Sequence, residues 1–410
     1  MYHLFTVAVY AENGKPKEST DYLRKFSEEL NHILNAKVNI DDTCFTIKVK
    51  YFSCDCPARS FVKNVIGHGG FHACERCRVV GKKVDGVTVF LQTDAEKRTD
   101  KSFATFADPQ CHTGVSPLST VTPALNMVSQ FILDPMHLVY LGCTKRLLEY
   151  LLLPSTRAAK LSATFKSELV RRTKPIYNDI PAEFCIKMRS IDHFSKYKAV
   201  EFKFFLLYAA PVLFIELLSD DLYGHFMLLT VACRFLCDIF ENIQISEARR
   251  YLTDFVDLTS TRYGETFVSL NVHNLIHLCD DIENTKGSMN EISAFSFESY
   301  LGIIRSVLRS PVNLVSQYYH RMSEKHTFSK KETITQCEVE IIMKKRTVLS
   351  NYDINIIFYL QNIPITLSYY KIEALHAFVT LALSKTITML QFKNTERKIQ
   401  YLTNRVILVL

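Results

Sequence analysis

The sequence predicts a mixed α/β fold in which strands near the two ends enclose a mainly helical middle. Three observations carry this. Thr43 to Ser53 reads TCFTIKVKYFS, alternating apolar and polar residues at the two-residue period of a half-buried strand. Between Asp134 and Leu308 apolar residues recur at three- and four-residue steps, the helical period. Hydrophobic residues make up 48% and charged residues 22% of 410, a balance that can bury a sizeable core and confines disorder to local pieces.

In chain order, Tyr2 to Tyr10 reads as a strand and Asn13-Gly14-Lys15-Pro16 as a turn. Ser19-Thr20-Asp21 then caps a helix whose apolar face is Leu23, Phe26, Leu30, Ile33 and Leu34. The alternating strand follows and ends at Cys54-Asp55-Cys56-Pro57, with Pro57 placed for the first turn of a helix reaching Asn64. From Gly67 to Thr122 the chain is loop-rich, with a short hairpin within Val84 to Leu91. Helices are predicted over 134–153, 159–172, 200–218, 223–241, 245–258, 296–308 and 312–324. Lys330 to Arg346 is polar and basic, and Ile354 to Tyr359 and Thr366 to Tyr370 read as strands of a small C-terminal module. No internal repeat is visible.

Lys and Arg number 49 against 42 Asp and Glu, a mild +7 that suits a polyanionic partner without requiring one. Twelve cysteines would suggest a disulfide framework in a short secreted chain; here the N-terminal residues lack a secretory pattern, and a reducing compartment is expected. The most apolar stretch, Phe202 to Leu218, is interrupted by Lys203, Pro211 and Glu216, so a buried helix and no membrane association is expected. No Gly-rich phosphate loop or nucleophile elbow is present to suggest an unrelated hydrolase.

Cys74-Glu75-Arg76-Cys77 has the two-residue gap that lets two thiolates meet one metal ion. His68 and His72 are local candidates to complete the site. The other candidates are His273 and His277, four apart and so stacked on one helix face, about 200 residues away. A redox cysteine pair and two packed core histidines are the structural alternatives. Among the acids, Asp55 comes directly off the alternating strand, and Glu298 lies among aromatics at the start of an amphipathic helix. Taken alone, each reads as a charge that favours a helix start, and only their joint context points to catalysis.

Five runs, in order, resemble the transposases of CACTA, Mirage and Chapaev elements: CDCPARSFVKNVIGHGGFHACERC, DPMHLVYLGCTKRLL, KYKAVEFKFFLLY, NVHNLIHL and SAFSFESYLGIIRSVLRS. The chain also resembles, more distantly, the catalytic core of the V(D)J recombinase. The likeness spans roughly residues 2 to 325. It implies an RNase H-like core, incomplete here, with a large helical zinc-containing insertion and DDE-type cleavage and strand transfer of DNA. Asp55 then matches the second catalytic aspartate and Glu298 the catalytic glutamate, together holding Mg²⁺ or Mn²⁺. Cys74, Cys77, His273 and His277 match the ligands of a structural Zn²⁺.

Such chemistry uses paired divalent ions about 3.5–4 Å apart, held by hard oxygen ligands, to activate the attacking oxygen and stabilise the leaving one. The resemblance also implies a first aspartate on a first strand, and this chain begins at what reads as the third strand. Asp41, Asp42 and Asp134 do not occupy that place. An N-terminally shortened and degenerate enzyme is therefore expected, with a non-enzymatic DNA- or protein-binding derivative as the alternative. The implied divisions are 1–66 for the partial core, 67–285 for the insertion, 286–346 for the returning helices and 347–410 for the C-terminal module.

Lys145, Arg146, Arg305 and Arg309 are candidate contacts to DNA phosphates, as are Arg321 and Lys325. The alternative for each is a solvated face. Asp134 and His137 open a helix, and capping is set against a direct role in DNA or metal contact. Lys330-Lys331 and Lys344-Lys345-Arg346 could be a nuclear import signal or a phosphate-contact strip, so nuclear location, transposon-end and target DNA, and a homodimer complete the expectations.

Overall fold

A computed structural model describes residues 4, 6–10, 16–40, 43–153, 163–180, 184, 188–238, 242–332, 352–361 and 406–409. The alternating run forms the longest strand of the sheet. β1 is Thr6–Tyr10, β2 Val38–Ile40 and β3 Thr43–Cys54; a short hairpin follows from β4, Lys82–Val84, and β5, Val87–Val89. β6 is Phe131–Leu133, β7 Tyr352–Gln361 and β8 Val406–Val409. The main sheet runs β1-β8-β7-β3-β2, and β6 pairs with the end of β3. β3 is parallel to both β6 and β7, whereas β2 meets β3 and β8 meets β7 and β1 antiparallel.

The alternation of β3 is visible in its burial. Ile47 and Val49 are buried while Lys48 is exposed; from Tyr51 to Cys54 every residue is buried, because helices cover both faces there. Helix α1, Ser19–Asn35, lays Leu23, Phe26, Leu30 and Ile33 on one face, in a core with Ile47, Val49 and Phe52. Its predicted cap is displaced by one residue. Glu18 is at the cap position without a side-chain hydrogen bond, and the Ser19 hydroxyl donates instead to Asn64 Oδ1 at 2.8 Å. Helix α2, Cys56–Lys63, has Asp55 as its cap, Pro57 in its first turn and Asn64 in the left-handed conformation at its end.

The other face of the sheet meets the helical mass, to which Tyr51, Ile132 and Leu133 contribute. Its helices are Lys145–Leu152, Ala163–Asp179, Ala199–Phe204, Asp220–Cys237 and Asn242–Tyr263, the last two packed on each other. Met136–Thr144 and Phe205–Ala209 are π-helical, a widening that the 3.6-residue period does not announce. Phe295–Val307 and Leu314–Glu332 return to the sheet, where Tyr318 donates a hydrogen bond to Thr6 Oγ1 at 2.6 Å.

The C-terminal strand expectation is refined. β7 and β8 join the main sheet instead of forming a sheet of their own, and β7 lies directly beside β3. Thr366 to Tyr370 and Lys344-Lys345-Arg346 lie outside the described residues. No helix among the described residues is long and apolar enough to cross a membrane.

Candidate metal centre and neighbouring carboxylates

Cys74 and Cys77 lie in an irregular segment fixed from behind by one cation. Arg98 Nε donates to the carbonyls of Cys74 and Cys77, at 3.1 and 3.0 Å, and its guanidinium pairs with Asp108 at 2.5 Å. His273 closes the short helix Leu270–His273, and His277 closes the 3₁₀ turn Asn274–His277. The histidine segment is thus not uniformly α-helical, yet the two imidazoles still stand together, with ring centroids 5.3 Å apart.

These four side chains converge. Cys77 Sγ lies 3.2 Å from His273 Nε2, Cys74 Sγ 3.6 Å from His277 Nε2, and the two sulfurs are 3.5 Å apart. All four ligand atoms lie within 4.8 Å of one another and all four residues are buried. Both cysteines are free thiols, and the sulfur separation is well beyond the disulfide length of about 2.05 Å. A tetrahedral zinc with Zn–S of about 2.3 Å and Zn–N of about 2.0 Å needs ligand atoms roughly 3.3–3.8 Å apart, so the quartet fits that ion.

The protonation preferences agree with that fit. The Cys77 thiol is held below its ordinary value by hydrogen bonding with Cys74, which outweighs burial with help from the Val79 N–H and Arg98. Burial pushes the His277 imidazole below its usual value, towards the neutral ligand form. Nδ1 of His273 and of His277 is buried without a protein hydrogen-bond partner, which leaves the Nε2 atoms as those turned to the cysteines. The described chain therefore contains a buried Cys2His2 group able to bind a structural zinc ion. His68 is exposed, and neither it nor His72 belongs to this group.

The residues between the two cysteines carry the centre outward. Glu75 is buried and pairs with Arg59 at 2.7 Å and with Lys63, both on α2. Burial alone would raise its carboxyl, but the charges of Arg59 and Lys63 bring it down to about 2. Arg59 also donates to the Cys54 carbonyl at 3.3 Å, at the end of β3. Arg76 reaches the other way, donating to the carbonyls of Val128 and Phe131 and pairing with Asp281 at 2.8 Å. Asp281 in turn accepts from Leu133 N at 2.7 Å, at the end of β6. This network is absent from the sequence reading, since charges flanked by cysteines ordinarily read as exposed.

β3 and β6 end side by side, Cys54 opposite Leu133, so Asp55 and Asp134 are the next residues beyond two adjacent parallel strands. Asp55 Oδ1 accepts from Ala58 N at 2.7 Å, the helix-capping bond. Asp134 is buried and meets four donors. Its Oδ1 accepts from Met136 N at 3.1 Å and Ala294 N at 2.8 Å; its Oδ2 accepts from His137 N at 3.2 Å and lies 2.5 Å from His137 Nδ1. Capping is thus what Asp134 does, and it also staples the start of the Phe295–Val307 helix. Glu298 N donates to Ala294 O at 2.9 Å, one turn into that helix.

The charges of Asp55 and Glu298 both act on His137. Burial would lower this imidazole; the hydrogen bond and charge of Asp134, then the charges of Asp55 and Glu298, outweigh it and hold it above its usual value. His137 keeps a quarter of its side chain exposed, so this end of the sheet opens to solvent. Among the described residues, the ligand atoms that close to within 4.8 Å as a group of three or more are those of the Cys2His2 quartet; Asp55, His137 and Glu298 form no such group.

The candidate phosphate contacts divide. Arg146 donates to the carbonyls of Thr266 and Phe267, at 2.5 and 3.1 Å, and its guanidinium lies over the Phe267 ring. Lys145 faces Glu149 at 3.9 Å. Arg305 is half-buried, Arg309 is exposed, and Arg321 pairs with Glu324 at 2.7 Å. Neither a protein-family model nor a curated protein matches this chain.

Proposed function

We propose that this chain is a transposase-derived protein, with an RNase H-like core in which Asp55 and Glu298 are carboxylates of a DDE-type nuclease site. The observation that carries the reading is convergence. Two acids from opposite parts of the chain both act on the half-buried His137, at the carboxyl ends of β3 and β6, where α/β sheets bind their ligands. The Cys2His2 group supports it, because it joins the segment after Asp55 to the segment before Glu298.

Mg²⁺ or Mn²⁺ held by Asp55 and Glu298 would supply Lewis-acid stabilisation at a DNA phosphate. The residues around them would do the rest. The backbone bonds to Asp134 fix the entry of the Glu298 helix, and the Asp55 carboxylate is oriented by its bond to Ala58 N. The family pattern places a third carboxylate on a strand beside β3. Here β7 runs parallel at that place, with Leu360 opposite Cys54 and Gln361 following, while Asp353 pairs with Thr46 at the far end.

That difference favours a second reading, a zinc-containing DNA- or protein-binding protein that has lost catalysis. Asp134 cannot stand in for a missing ligand without giving up its four donors. Nicking of supercoiled DNA in Mn²⁺ by the full chain, compared with Glu298→Ala and Asp55→Ala, tests the proposal. Cleavage that both substitutions abolish is the expected result. Equal cleavage by all three proteins would remove these acids from the chemistry, and salt-sensitive DNA binding without cleavage would establish the second reading.

A further inference from the structure

The two cysteines of the metal centre are not supported alike. Cys77 Sγ lies 3.2 Å from His273 Nε2, and the Val79 backbone helps to hold its thiol below the ordinary value. Cys74 Sγ instead meets the side chain of Asn274, with Oδ1 at 3.6 Å and both residues buried. Around them are the side chains of Ala73, Val79, Phe90 and Leu270, an apolar wall without a side-chain hydrogen-bond donor. Arg98 is close, but its Nε is used on the carbonyls of Cys74 and Cys77.

A thiol can donate its proton to an amide oxygen, which is the sense of the Cys74–Asn274 contact. A metal-bound sulfur has released that proton and can only accept. The two ends of a carboxamide are nearly identical in shape, so a half-turn of the amide exchanges acceptor for donor without moving its neighbours. Asn274 follows His273 directly, so any rearrangement of the histidine segment towards a metal carries Asn274 with it.

We propose that when zinc occupies the Cys2His2 quartet, Asn274 presents its Nδ2–H to the Cys74 sulfur and is a positioning residue of the metal centre. The proton of Cys74 leaves to solvent, and an N–H···S bond replaces the S–H···O bond. Asn274 then supplies a hydrogen-bond donor to the Cys74 sulfur, and it draws electron density from a sulfur that would otherwise react with electrophiles. This rests on the metal reading of the quartet.

The test compares the full chain with Asn274→Asp, which keeps the shape and removes the donor, and with Asn274→Leu. Zinc affinity is measured by competition with a chromophoric chelator, and alkylation of the zinc-loaded protein is mapped to individual cysteines. Both substitutions are expected to weaken zinc binding by about 10–100-fold, the usual effect of losing a hydrogen bond to a metal ligand. Both should speed alkylation of Cys74 more than of Cys77, a bias that a general loss of packing would not produce. In the unsubstituted chain loaded with cadmium-113, the Asn274 amide protons should couple to the metal through the sulfur, a readout independent of how the variants fold. Zinc affinity and alkylation unchanged by both substitutions, or no coupling to Asn274 in a cadmium-loaded chain, would overturn the inference. An unsubstituted chain that takes up no zinc would overturn the metal reading itself, and this inference with it.

Discussion

Glu75 occupies a position where removing one atom set leaves two buried cations facing each other. Arg59 and Lys63 are neutralised by its carboxylate, and losing one member of a buried ionic group typically costs about 3–5 kcal/mol. Glu75→Gln is expected to lower the unfolding free energy of the metal-loaded protein by that order in urea titrations. Adding Lys63→Met should recover part of the loss, since the two residues are directly coupled. His225 makes a different prediction. It is stacked on Phe255 and donates from Nε2 to the Phe255 carbonyl at 2.8 Å, with Nδ1 3.1 Å from the Tyr263 hydroxyl. Burial holds its imidazole below the usual value, an effect that Arg262 adds to and that the Phe255 carbonyl and Asp221 oppose. The native state therefore binds fewer protons than the unfolded state, and stability is lost as pH falls through about 6.5. His225→Gln should flatten the fall in melting temperature between pH 7 and 5; an unchanged slope would show that other groups set the acid sensitivity.

Among the elements, β3 was legible because its residues alternate over most of its length, as a strand with one face buried and the other more exposed must. β6 was not. Phe131–Leu133 is three residues long and wholly buried, so it shows no alternation, and it exists because Phe131 stacks on Phe52 with ring centroids 4.5 Å apart. The helical middle was readable from its apolar periodicity, although the π-helical Met136–Thr144 departs from that period where the chain leaves Asp134. The spacing of Cys74 with Cys77 and of His273 with His277 made them candidates beside His68 and His72, and the resemblance joined them as one set; the buried Glu75 and Arg76 were not legible, because what buries them comes from α2, β6 and Asp281. Asp134 joins these elements. Asp134→Asn keeps the size but turns a donor towards N–H groups, at a cost on the order of 3 kcal/mol for charged-group hydrogen bonds lost in the interior. Hydrogen exchange at the amides of Ala294 and Glu298 should accelerate in this variant while zinc content stays unchanged. Equal exchange would mean that the staple does not hold the Glu298 helix.

At the scale of the whole molecule, the metal centre links the loop-rich segment after α2 to the helix turns that precede the return to the sheet. Its ligands stand about 200 residues apart in the chain, so an ion bound there restricts a long loop as well as a local fold. Chelation, or Cys74→Ser, should lower the melting temperature, and added zinc should restore it in the unsubstituted chain in proportion to its free concentration. A melting temperature indifferent to chelation would contradict a structural role for the ion. The most direct measurement is X-ray absorption at the zinc edge of the purified full chain, read together with metal content. One zinc per chain, with two sulfurs at about 2.3 Å and two nitrogens at about 2.0 Å, is the result expected from the quartet. A shell without sulfur, a shell of four sulfurs, or a chain that retains no zinc would contradict it.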